Sequence, residues 1–158
     1  MKRVDYIDLI SEVTRPMPPL PIAELPPPPD LARLRLPLRQ ARVMLISSAG
    51  VHERQDAPFA HTNDLTFRKL SQNLDPKAIR PSHPSPIRRP GLLDINVVYP
   101  YRRLAELQTA GDIGGPTPYH LSMQGAIKQL KALVTEMAPA MVESARDAGA
   151  DAVLLVPL

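Results

Sequence analysis

Four histidines, His52, His61, His83 and His120, are the side chains of this sequence that titrate near neutrality, and there is no cysteine. Proton transfer and carboxylate binding are open to such a chain. Thiol chemistry, a disulfide framework and a thiolate zinc site cannot be built from these residues. His52 closes the run Ser47-Ser48-Ala49-Gly50-Val51-His52, whose hydroxyls and backbone N–H groups could face a carboxylate. His120 stands in GDIGGPTPYHLSMQG with Ser122, among Gly114, Gly115 and Gly125. Ser47, Ser48, Gly50, His52, His120 and Ser122 are therefore the candidate substrate-binding residues. His83, in PSHPSP, precedes Asp94 and Asn96 in DINVVYP. A histidine with a carboxylate can hold a metal, but the intervening stretch fixes no geometry, so these three are read as structural or site support and no metal is assigned. Neither a phosphate-binding glycine loop nor a GxSxG serine elbow is present.

The elements that must position these groups are those of an α/β protein. VMLIS (Val43 to Ser47) is a short apolar run leaving through Ser48-Ala49-Gly50, the pattern of a buried strand. A second strand is expected at Leu65 to Leu70, before the turn formers Asn73, Asp75 and Pro76. Pro100 should open a helix carrying Tyr101, Leu104 and Leu107 on one face and ending at Gly111. From about Ser122 a helical stripe of Ile127, Leu130, Leu133, Val134 and Met137 should run to a break or a kink at Pro139, with a second piece over Ala140 to Ala148. Ala152 to Val156, five apolar residues after Gly149 and Asp151, completes a helix-to-strand unit and should lie parallel to the first strand. All four histidines then fall in loops, and those at strand ends share one edge of the sheet.

Proline is the compositional outlier, 20 residues in 158. PMPPLPIAELPPPPD, between Pro16 and Pro29, excludes helix interior and central strand and reads as a stiff extended arm behind a short helix at Val4 to Val13. The expected layout is an arm over residues 1–42 and an α/β domain over 43–158, incomplete at its C-terminal side because the last strand lacks a covering crossover helix. The 19 basic and 16 acidic residues are dispersed and the few aromatics are not interleaved with them, which argues against nucleic acid. No apolar window approaches the roughly 18 residues of a membrane span, and Asp5, Asp8 and Glu12 interrupt any leader-like stretch, so a cytoplasmic chain is expected.

Taken in order, LPLRQARVMLISSAGVH, DLTFRKL, IRPSH, DINVVYPYRRLAEL, GDIGGPTPYHLSMQG and DAGADAVLLVP resemble the selenoprotein B subunits of glycine, sarcosine, betaine and D-proline reductases, in their short, D-proline-reductase-like form. The resemblance takes in nearly the whole chain, including VDYID, and departs from the pattern between Pro84 and Pro90, where a Tyr-Asp pair is missing. It implies a partial Rossmann-like parallel sheet with flanking helices. It also implies reductive cleavage of a C–N bond α to a carboxylate by a selenocysteine or cysteine that follows the strand resembling DAVLLVP. This class of oxidoreductase is written in the reverse direction, acting on X–H and Y–H to form X–Y with a disulfide as acceptor, so in the cleavage direction a dithiol gives up the electrons. On this reading no catalytic residue or cofactor lies within the chain. The reactive residue is expected just after Leu158, the frame being closed at a UGA codon that also encodes selenocysteine, and the isolated chain is inactive. Other reductase subunits and a small amino-acid or betaine-like substrate are the implied partners. The alternative is a non-catalytic ligand-binding or assembly module of the same fold.

Overall fold

β1 (Arg42–Ser47) is the axis of the sheet. The computed structural model describes residues 32–158, so the expected N-terminal helix and proline-rich arm lie outside the described residues. β1 pairs in parallel with β5 (Gly115–Pro116) and β6 (Tyr119–Met123) on one side and with β7 (Ala152–Val156) on the other. The β1–β7 register runs from Val43↔Ala152 to Ser47↔Val156, the parallel neighbours expected from the sequence. β3 (Phe67–Ser71) adds an antiparallel edge along β6, so the sheet is mixed. β2 (Val51–Glu53) and β4 (Ile79–Pro81) form a separate antiparallel pair. With helices on both faces, the protein is α/β.

Alternation along the strands sorts side chains between two cores. Val43 and Leu45 of β1 and Leu70 of β3 face Ile95, Val98, Tyr99, and Tyr101 and Leu104 of α2 (Tyr101–Ala110). Met44 of β1 and Leu121 of β6 face Met137, and Met141 and Ala145 of α4 (Ala138–Asp147). A short α1 (Arg89–Leu93) precedes α2, and Gly91 lets it close on Val98: an added Cβ would sit 2.6 Å from Val98 Cγ2. α2 ends as its sequence dictates, on Gly111 at φ +80°, whose N–H donates back to Gln108 and Leu107. Tyr101 and Leu104 are buried as expected, whereas Leu107, the third member of the stripe, is 39% exposed.

Two expectations are corrected. Ser122 does not begin a helix; it lies in β6, and helix starts only at α3 (Leu130–Ala132). Of the break or kink expected at Pro139, the break does not occur: a π-helical stretch, Leu133–Met137, joins α3 to α4, and Pro139 falls in the first turn of α4. The π stretch ends just ahead of Pro139, whose ring has no N–H to donate back along the helix. Among the described residues, no helix is long and apolar enough to cross a membrane.

Candidate functional site

Parallel pairing places the carboxyl ends of β1, β6 and β7 at one edge, and the loops there are tied together. Ser48 N–H donates to Val156 O (3.1 Å), Leu158 N–H donates to Ser48 Oγ (2.8 Å), Gly125 N–H donates to Ser48 O (2.9 Å), and Gly50 N–H donates to Met123 O (2.8 Å). Gly50 takes φ +62°, and Gly125 lies where a Cβ would stand a tight 3.1 Å from Ser48 Oγ, so both positions favour glycine. Ser47 Oγ donates to Val98 O (2.6 Å) and accepts from Ala49 N–H (3.2 Å); Ser122 Oγ accepts from Val51 N–H (2.7 Å). The N–H groups of residues 48–51 and both buried hydroxyls are thus engaged within the chain. The half-buried Ser48 hydroxyl, beside the Leu158 backbone, keeps its own proton to offer.

His120 is in β6 rather than a loop, fully buried. Between Val43↔Pro116 and Ile46↔Leu121 the partner chain of β1 carries two extra residues, Thr117 and Pro118 among those bridging the gap, a bulge that interrupts the ladder. The N–H of Leu45 is left facing that gap. His120 Nδ1 accepts from it at 3.1 Å, so the ring takes the place of a backbone carbonyl and its proton must sit on Nε2. Burial pushes this imidazole down to about 4, which keeps it neutral at pH 7. Its Nε2 has no partner, and neither does the hydroxyl of Tyr99, whose ring meets His120 edge-on at 6.3 Å.

His52, expected in a loop, lies in β2 opposite Arg80. Its ring donates from Nδ1 to Glu53 O (2.7 Å) and packs edge-on against Phe59, leaving Nε2 buried without a partner. His83 and His61 do lie outside helices and strands. His83 N–H donates to Ala49 O, its Nδ1 accepts from Ser85 N–H, and burial together with the Arg88 guanidinium lowers its basicity. Asp94 accepts from Asn96 N–H and Asn96 Nδ2, both at 2.9 Å, which hold its carboxyl below the usual range. The structure thus joins Ser48, Gly50, His83 and the Ser122 segment around the strand ends. His120 instead serves mid-β1, and Asp94 and Asn96 line another cleft, with Arg54, Lys77, Arg80 and Arg102. No cluster of three metal-ligating side chains occurs among the described residues. Those four cations come from three segments, so no run of charge marks them in the sequence.

With this geometry in view, the chain is similar to D-proline reductase subunit gamma of Acetoanaerobium sticklandii, 27% identical over 129 residues. The alignment takes in 82% of this chain and 53% of that protein, so the chain spans about half the length of the curated relative it matches. No family model and no solved structure matches.

Proposed function

We propose that the chain is part of a subunit of a reductase complex related to D-proline reductase, in which it builds the sheet edge that presents a reactive residue. The observation that carries the reading is the similarity across 82% of the chain to a protein named as a subunit of that enzyme. The tie of Leu158 N–H to Ser48 Oγ supports it, because it fixes the backbone direction at the carboxyl end of β7, where the resemblance locates the selenocysteine or cysteine of a longer product. That residue would supply the nucleophilic and redox chemistry of C–N cleavage. The residues present hold the strand ends rigid, exclude water with Val98, Tyr99 and Leu121 beneath them, and offer the Ser48 hydroxyl toward a carboxylate.

Association with other subunits finds support at β7. Leu155 is 68% exposed, and an apolar groove of about 550 Å3 runs between the strand and α4, lined by Met141, Val142, Val153 and Leu155. The first experiment is to read the codons after Leu158 and to express the frame extended through them with cysteine at any UGA. The extended chain should support partner-dependent, dithiol-driven reduction of D-proline, glycine or betaine, and the 158-residue chain none, since unactivated serines are poor nucleophiles and no redox group. Reduction by the cysteine-free chain would overturn the mechanism. An extension without UGA, cysteine or family-like sequence would put the non-catalytic assembly module first.

A further inference from the structure

We propose that the cleft between the β2–β4 pair and the 91–96 segment is a binding site for a small polyanion, independent of the reductase reading. It is about 320 Å3, the lower end of the range of ligand pockets, and Arg54, Lys77, Arg80 and Arg102 line it. The carboxylate in its wall is Asp94, which accepts two hydrogen bonds from Asn96 and feels the charge of Arg102 without closing an ion pair with it, so the cleft stays net positive. No acidic side chain is ion-paired with any of the four cations: among the described residues the ion pair is Arg103 with Glu106. Like charges around one concave surface repel, and the repulsion is relieved by a multiply charged anion held where water is partly excluded.

The mounts are rigid. Arg54 Nε donates to Lys77 O at 2.6 Å and Arg54 N–H to Ala78 O at 2.7 Å, so the guanidinium is held against the turn that carries Lys77. Asp75 caps that turn by accepting from Lys77 N–H at 2.8 Å, and Arg80 is fixed by antiparallel pairing with His52. Asn96 is itself held in the cleft wall. Its Nδ2 is spent on Asp94, which settles the amide orientation, and its Oδ1 is a buried acceptor in the cleft wall without a partner. The ligand is therefore a compact, multiply charged anion, as a polycarboxylate or a phosphate ester is.

Citrate and pyrophosphate, each titrated into the full 158-residue chain by calorimetry at low salt, test this. Saturable binding near or below about 1 mM is expected, weakening as salt screens the charges. The Arg54→Gln and Arg80→Gln variants should each lose about tenfold or more, the cost of one charge-assisted contact, while Lys128→Gln, outside the cleft, stays at the parent value. All the substituted side chains are exposed, so unchanged circular dichroism is expected and separates lost binding from lost folding. Tighter citrate binding identifies a polycarboxylate, tighter pyrophosphate a phosphate-bearing ligand. Failure of both to saturate, equal binding by the arginine variants, or binding of an aspartate-rich peptide in place of either anion overturns the proposal.

Discussion

β1 and β7 lie side by side, parallel and paired over five consecutive residues, and both are runs of aliphatic side chains. Their fates differ. Met44 and Leu45 have no exposed surface, whereas Leu154 is 41% and Leu155 68% exposed. β1 has β5 and β6 beyond it and a core against each face; among the described residues β7 pairs with β1 alone, and its α4 face opens into the apolar groove. An apolar run is enough to specify a strand, but burial is decided by what lies beside it, and those neighbours come from distant parts of the chain.

The sharpest way to break this comparison is a matched pair of truncations. Leu45→Ala should cost about 2 to 5 kcal/mol of unfolding free energy in urea, and Leu155→Ala less than about 1, because only the first leaves a cavity. Equal losses would mean that β7 is as buried as β1. Next in size is the His120 ring that completes the β1 ladder. Its folded value, about 4, lies below the ordinary 6.5, so as pH falls through that window the unfolded chain takes up a proton that the folded chain refuses. Stability is then intact above pH 6.5 and drops by roughly 3 kcal/mol on reaching pH 4, with His83, shifted the same way, adding to the slope. His120→Gln should remove most of that slope in urea midpoints measured between pH 7 and 4; an unchanged slope would detach His120 from it. Ser48→Ala, which unties Leu158 from the β1 loop, should cost about 0.5 to 1.5 kcal/mol and raise amide exchange at Leu158. Arg103→Gln, breaking a solvent-exposed pair on α2, should leave the urea midpoint unchanged.

Where local pattern and final environment agree, the sequence was readable. β1, β7 and their parallel pairing follow from aliphatic runs bounded by turn residues, and α2 from its periodicity and Gly111. The β3 strand lies two residues from its expected start. β6 was not readable, though Tyr119, Leu121 and Met123 alternate, because His120 and Ser122, the intervening side chains, are polar and yet point into a core. Their burial is made tolerable by Leu45 N–H and Val51 N–H, partners 75 and 71 residues away. The same distance hides the site: Ser47, Ser48 and Gly50 could be singled out as polar and flexible, but not that the Ser47 hydroxyl and the N–H groups of Ser48 and Gly50 are already engaged. His52 and His120 were singled out for chemistry, and both are interior groups.

The order of β1 in the chain also carries a consequence in time. Its N–H groups and carbonyls are matched by residues up to 109 positions later, Asp151 taking the Arg42 N–H. At ribosomal speeds of about 5 to 20 residues per second, Val43 to Ser47 is synthesised roughly 5 to 20 s before β7 exists to pair with it. Through that interval the central strand of the sheet is a nascent apolar segment without its neighbours, and sheltering it until β6 and β7 emerge falls to the ribosome exit region and to chaperones.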